Sequence, residues 1–207
     1  MKGLCTITPC RGDREELTAF CVDRMPLDGY LINYKPQSDE LDLVPRIKEG
    51  IRLAKDAGYE YIFIMENDDF YSKGFFETLD FTGYDFFGYE YTHYYNLKNR
   101  TYQTMWHKNR SSLFCTGFKI SAMDKFPWPA DHTVFFDIKL WEYAMWGNFK
   151  VKLETENPLL GIKHGIGKCA GKAHRMELEN HDPNLEWLKG FVDKEAFNFY
   201  TDLMTRI

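Results

Sequence analysis

The chain has little that would staple it, anchor it or attract a partner by charge alone. Its five cysteines (Cys5, Cys10, Cys21, Cys115 and Cys169) are odd in number, scattered, and form no Cys-x-x-Cys pair. They read as reduced thiols, with neither a disulfide framework nor a zinc site, and point to a cytoplasmic protein. No apolar run approaches the ~18–20 residues needed to cross a bilayer. The first ten residues are a short mixed stretch followed at once by Arg11-Gly-Asp-Arg-Glu-Glu16, which lacks the form of a signal peptide. Positive charge is not in excess: 26 Lys and Arg against 31 Asp and Glu leave a formal charge of -5. That balance excludes holding nucleic acid by a general electrostatic footprint and leaves room only for a local basic patch. Repeats, low-complexity tracts and linkers are missing too, so residues 1–207 are expected to form one domain. What is abundant is aromatic. Phe, Tyr and Trp make up 17% of the 207 residues, and with 44% hydrophobic residues a sizeable core is expected.

The order of elements reads as strand and helix in alternation. Gly3 to Thr8 is β-prone and is expected to stop at Pro9, with Asp13 capping a helix through about Arg24. Tyr30 to Tyr34 reads as a second strand. Val44 to Ala57 reads as a helix burying Ile47, Ile51 and Ala54, stopped by Gly58. Tyr59 to Met65 is almost continuously apolar, as suits a strand buried on both faces of a parallel sheet. This succession predicts an α/β nucleotide-binding half over about residues 1–80. Beyond it, Tyr84 to Tyr95 and Arg100 to Trp106 are aromatic-rich and β-prone, with turn chemistry at Asn96-Leu-Lys-Asn99. Their rings are expected to be mostly core, with Tyr102 and Trp106 as candidate acceptor-side residues. Leu113 to Ser121 reads as a strand and Phe136 to Trp146 as a helix. Two final helices open at Asp182-Pro183 and Asp193.

Chemistry concentrates where the apolar strand ends, in Glu66-Asn-Asp-Asp69. Ligands of open α/β sheets bind at the carboxyl ends of the strands. Three carboxylates within four residues repel one another unless a cation neutralises them, and oxygen donors of this kind suit Mg²⁺ or Mn²⁺ together with substrate phosphates. The plainer alternative is a helix cap at Asp69 or Ser72. Downstream, Val134-Phe-Phe-Asp-Ile138 sets Asp137 between bulky apolar neighbours, which should raise its pKa toward that of a useful general base; the alternative is again a cap. Lys163 to Arg175 gathers glycines with Lys168, Lys172 and Arg175, a composition able to neutralise a leaving diphosphate.

Ile62-Phe-Ile-Met-Glu-Asn-Asp-Asp69 resembles the strand and DxD-type motif of GT-A glycosyltransferases, particularly the family-two type. Thr8-Pro-Cys-Arg-Gly-Asp-Arg14 resembles that family's first-strand turn, and Ala54-Lys-Asp-Ala-Gly58 resembles its Ala-Arg-Asn-x-Gly helix end. The resemblance implies a mixed, mainly parallel sheet flanked by helices, and metal-dependent, inverting transfer of a sugar from a nucleotide-diphosphate donor, UDP-linked. It implies Thr8, Pro9, Arg11 and Asp13 around the base and ribose, and Glu66 at the ribose or metal. Asp68 becomes the principal metal ligand and Asp137 the base. Where the family has an Asp-Asp-Gly-like strand end this chain reads Leu31-Ile-Asn-Tyr-Lys-Pro36, which leaves Asn33 and Tyr34 for the uracil. Lys55 stands in place of the family's Arg, keeping the charge without the bidentate fork. A histidine commonly completes such metal sites; His174 matches the family's loop ending better than His164. Residues 81–207 would then form the acceptor half, with the basic loop and the C-terminal helices. The acceptor stays open between a hydroxymethylated base in viral DNA and a bacterial glycan or lipid-linked sugar. The rival readings are a sugar-1-phosphate nucleotidyltransferase, disfavoured by the single glycine after the first strand, and a non-catalytic nucleotide-sugar binding module.

Overall fold

The computed structural model describes residues 2–26, 28–35, 40–166 and 177–207. Within them the chain runs β1 (Lys2–Cys10), α1 (Glu15–Val22), β2 (Gly29–Asn33), α2 (Leu43–Asp56) and β3 (Tyr59–Ile64). There follow the single-turn α3 (Phe75–Thr78), then β4 (Phe86–Tyr89), β5 (Tyr91–Asn96), β6 (Thr101–Trp106) and β7 (Gly117–Lys119). The rest comprises α4 (Phe136–Trp146), β8 (Val151–Glu154), β9 (Leu160–Lys163), β10 (Asn180–His181), α5 (Glu186–Phe191) and α6 (Lys194–Met204). The expected α/β class is borne out.

The main sheet has the order β2-β1-β3-β7-β4-β8. Only β7 runs against its neighbours, so the sheet is mainly parallel. Its centre is β3, whose Ile62 and Ile64 face one core cluster while Tyr61 and Phe63 face another. Both faces are buried because the run is apolar at every position but one, each such side chain contributing about 1.5–3 kcal/mol. Helix α2 covers the first face with Val44, Ile47, Ile51 and Ala54, and Gly58 ends it in the left-handed conformation (φ 81°). Single-residue Glu90 carries the chain into a second sheet, β10-β6-β5-β9, on which α5 and α6 pack through Leu188, Ala196, Tyr200 and Leu203.

Several boundaries differ from expectation. Strand β1 continues through Pro9 because its pairing to β3 ends at Ile7, whose carbonyl accepts the Met65 amide. Pro9 points its nitrogen to that same side, past the last ladder bond, so no donor is missed. Asp13 is not the cap of α1: Arg14 holds that position, without a side-chain capping bond. Neither Asp69 nor Ser72 caps α3, whose entry is a left-handed Gly74. Asp137 is also no N-cap, since Phe135 precedes the helix and Asp137 lies within its first turn. The stretch expected as a strand from Leu113 to Ser121 breaks into 3₁₀ turns on either side of the short β7. The aromatic rings are mostly core; Tyr102 stacks on Trp187 at 4.3 Å, whereas Trp106 is 57% exposed.

Candidate functional site

The main sheet changes direction of travel between β1 and β3: β2 lies to one side of the pair and β7 to the other. A crevice therefore opens beyond their carboxyl ends. It holds a cavity of about 400 Å³, within the usual range for small-molecule sites. Strand β1 delivers Pro9, Arg11 and Asp13 to it, β3 delivers Glu66 and Asp68, and the start of α4 delivers Asp137. These six expected residues converge on one space.

The acidic turn is held from three sides. Phe70 pairs with Leu160 of β9, the Tyr71 hydroxyl accepts the Glu66 amide at 2.9 Å, and Asn67 Nδ2 donates to Thr18 Oγ1 of α1 at 2.7 Å. Anchoring of this kind fixes functional side chains more tightly than a loose loop could. The carboxylates then divide their work. Asp69 accepts the Ile162 amide at 2.7 Å and ties the turn to the second sheet. Burial pushes its pKa well above the carboxylate range, with Asp68 and Glu66 adding repulsion. Asp68 takes Arg14 Nη1 and His164 Nε2 on the same oxygen, Oδ2, the latter at 2.9 Å. Glu66 is pushed up to about 7, by burial and then by the Asp68 charge, against the pull of Lys163 and Arg14.

His164, the less favoured histidine on sequence, reaches Asp68. Its Nδ1 accepts the Ile166 amide at 2.9 Å, which places the ring proton on Nε2. In this tautomer His164 donates to Asp68 and orients it. His174 lies outside the described residues, as do Lys168, Lys172 and Arg175. Among the described residues no three His, Cys, Asp or Glu side chains converge as a ready coordination shell. The donor chemistry still fits Mg²⁺ or Mn²⁺, which commonly take one or two carboxylates and complete their shell with water and substrate phosphates. Glu66 and Asp68 would supply those carboxylates; burial and then the Asp68 charge both disfavour an ionised Glu66, and a cation would oppose both.

At the other end of the cavity, Arg46 is fully buried. It donates to the carbonyls of Cys10, Ile32 and Tyr34 and to Asp42 Oδ2, and lies 4.0 Å from the Tyr34 ring. Arg11 donates to the other Asp42 oxygen at 2.6 Å. Burial works against the Asp42 charge, but Arg46 and Arg11 together hold its pKa below the usual carboxylate range. This knot joins the ends of β1 and β2 to the start of α2. Of the residues expected on the nucleotide side, Thr8, Asn33, Tyr34 and Lys55 fall outside the lining. Thr8 is fully buried on the face of β1 opposite Ile7; Asn33 closes β2 in register with Cys10; Lys55 pairs with Asp124 at 2.8 Å.

Asp137 meets a partner that no sequence signal announces: Arg110 Nη1 donates to its Oδ2 at 2.7 Å. Burial raises the Asp137 pKa, while Arg110 and the amides of the helix start pull it down without cancelling the rise. Arg46 likewise carries no sequence signal for this site, while Arg14 and Lys163 fall in stretches the sequence singles out without giving either a partner. They are polar residues without periodic context, and only the fold assigns them partners.

No protein-family profile and no curated protein matches the chain. The likenesses to solved structures are low-level. The protein A197 from STIV is 15% identical, with a TM-score of 0.45 over 75% of this chain and 82% of that one. A candidate nucleotide-diphospho-sugar transferase from Desulfovibrio desulfuricans G20 is 14% identical, with a TM-score of 0.45 over 78% and 82%. A variant of Drosophila β1,4-galactosyltransferase 7, in complex with manganese, UDP-Gal and xylobiose, is 12% identical, with a TM-score of 0.48 over 94% and 82%. All three TM-scores lie below 0.5, and the functional reading stands on this chain's own residues.

Proposed function

We propose that this chain is a glycosyltransferase that moves a sugar from a nucleotide-diphosphate donor, UDP-linked, to an acceptor hydroxyl with inversion. The observation that carries the reading is the return of Asp137 to the cavity formed by Glu66 and Asp68, from a separate helix far along the chain. Acidic groups that could hold a metal–diphosphate and a desolvated carboxylate suited to proton removal thus share one space. Pro9, Arg11 and Asp13 lie at the nucleoside end. Arg14 and Lys163 bring positive charge toward the diphosphate. A divalent cation on Glu66 and Asp68, when bound, would supply Lewis-acid stabilisation of the departing diphosphate. Asp137 takes the proton of the acceptor hydroxyl. The acceptor oxygen bonds to the anomeric carbon as the bond to the diphosphate breaks, and the electron pair leaves with UDP. One displacement of this kind inverts the anomeric centre.

Thermal shift with UDP tests the donor half. UDP should raise the melting temperature with Mn²⁺ present and much less with EDTA, and Asp68→Ala should remove the metal-dependent part. Equal UDP stabilisation in wild type and Asp68→Ala would sink the metal assignment. The transfer half is tested by UDP release from a panel of UDP-sugars. Asp137→Asn should keep UDP affinity within a few-fold and lower turnover by ~10²–10⁴. A variant that turns over at the wild-type rate would remove Asp137 from the chemistry.

A further inference from the structure

Arg110 sits in the turn after β6, beside Lys108 and Asn109, which both adopt left-handed backbone (φ 38° and 62°). Asn accepts that conformation readily; for Lys it costs on the order of 1 kcal/mol. The turn is nonetheless pinned on both sides of Arg110. On one side the His107 amide donates to the Glu90 carbonyl at 2.9 Å, and the His107 ring lies 3.1 Å from Ser112 Oγ. On the other, Ser111 Oγ accepts the Tyr89 amide at 2.9 Å, and Ser112 Oγ lies 2.6 Å from the Tyr94 hydroxyl. A strained turn held by this many bonds over-determines where its arginine points.

The Arg110 guanidinium reaches Asp137, which lines the cavity. The Asp137 side chain is 17% exposed and that of Arg110 29%, so the pair is neither sealed in the core nor an open surface contact. Open surface pairs contribute about 0–1 kcal/mol and rarely select a rotamer. This pair is half-desolvated, and the carboxylate also receives amides of α4, so two directions of donation converge on it. Among the described residues, titratable or charged groups around it include Glu66 after β3, Tyr94 of β5, Lys163 at the end of β9, and His107 beside Arg110.

We propose that Arg110 is the positioning residue of the transfer step, holding the Asp137 carboxylate in the orientation that accepts the acceptor's proton. The inference rests on the reading of Asp137 as the base. Burial raises the pKa of that carboxylate, and Arg110 together with the amides of the helix start opposes the rise without cancelling it. Arg110 itself neither gives nor takes a proton.

The test is direct titration of the Asp137 carboxyl carbon by ¹³C NMR in wild type, Arg110→Met and Arg110→Lys, with Asp137→Asn to assign the signal. Arg110→Met should raise the midpoint by about one pH unit, and Arg110→Lys should restore most of it. The acid limb of UDP release from UDP-glucose should move upward with it, while Kd for UDP with Mn²⁺ stays within about two-fold. If Arg110→Met does not fold, Arg110→Gln takes its place with the same expected direction. An unmoved midpoint, or a moved midpoint with an unmoved acid limb, overturns the role of Arg110. If instead Asp137→Asn releases UDP at the wild-type rate, the reading of Asp137 fails, and Arg110 falls with it.

Discussion

At the scale of single residues, His107 shows how the cavity wall is tuned. Its ring is buried against Ser112 Oγ at 3.1 Å and the Tyr94 hydroxyl at 3.5 Å. Burial, then repulsion from Arg110, pushes its pKa down to about 4. The folded protein therefore keeps the ring neutral at pH values where the unfolded chain, titrating near the ordinary histidine value of 6.5, is already binding a proton. Its contribution to stability is fully present above about pH 6.5 and is lost as pH falls toward 4. His107→Gln keeps a hydrogen-bonding side chain and removes the titration. Between about pH 6.5 and 4 the wild type should lose roughly 1–2 kcal/mol more than the variant, less than the whole shift implies because the neighbouring Lys108 and Asn109 are exposed to water. Urea melts at about pH 7, 5.5 and 4 read this directly, and parallel stability curves for the two proteins would refute it. Residues of this kind explain what the sequence could not disclose. Glu66, Asp68 and Asp137 are visible because an acidic cluster after an apolar run, or an acid between apolar neighbours, is locally odd. His107, Arg110 and Arg14 look ordinary until the fold brings their partners into hydrogen-bonding reach.

At the scale of elements, legibility follows periodicity. The spacing of Val44, Ile47, Ile51 and Ala54 announces α2, the near-continuous apolar run announces β3, and Phe136 to Trp146 emerges as α4 with its expected ends. Boundaries fail where tertiary geometry outranks local rules. Local rules end β1 at Pro9, but a proline whose nitrogen lies past the last ladder bond has no reason to stop a strand. The same conflict between local and tertiary rules gives a prediction at Gly50, inside α2. Helix propensity favours alanine over glycine by roughly 1 kcal/mol. A Cβ at Gly50, however, would lie 2.9 Å from Ile7 Cγ2 and 3.0 Å from Ile7 Cβ, in the fully buried interface between α2 and β1. Ile7 is β-branched and cannot swing away without leaving its rotamer. Packing should win, with Gly50→Ala destabilising by about 1–2 kcal/mol net. A stabilised Gly50→Ala in thermal melts would show that α2 can lift from the sheet at no cost.

At the scale of the whole molecule, the C-terminal helices close back onto the first helix. Arg24 makes the closure: with only 1% of its side chain exposed, it donates to both Asp193 carboxylate oxygens at 2.6 and 3.0 Å and to the Tyr71 carbonyl at 3.2 Å. Its guanidinium also lies 4.5 Å from the Phe20 ring. Asp193 is at the same time the N-cap of α6, accepting the Ala196 amide at 2.9 Å, so one arginine joins α1, the turn after β3 and the start of α6. A second link between the same helices, Arg206 to Glu16 at 2.6 and 2.7 Å, looks equally good by distance. Burial separates them. Arg206 and Glu16 are 44% and 50% exposed, so their pairing is screened and Arg206→Met should cost about 0–1 kcal/mol. Arg24→Met instead leaves the Tyr71 carbonyl buried without this donor and takes the charge from beside Asp193. Because Asp193 is 37% exposed and can take water, the cost should fall below the full ~3–5 kcal/mol of a sealed pair, at about 2–3 kcal/mol. For a chain of this size that is a fall in melting temperature of about 5–10 °C, against at most about 3 °C for Arg206→Met. The two variants remove the same formal charge from the same pair of helices, so net charge cannot account for a difference between them. Equal losses in calorimetry would mean that the closure is carried by the apolar face of α6, through Tyr200 and Leu203, and that Arg24 merely accompanies it.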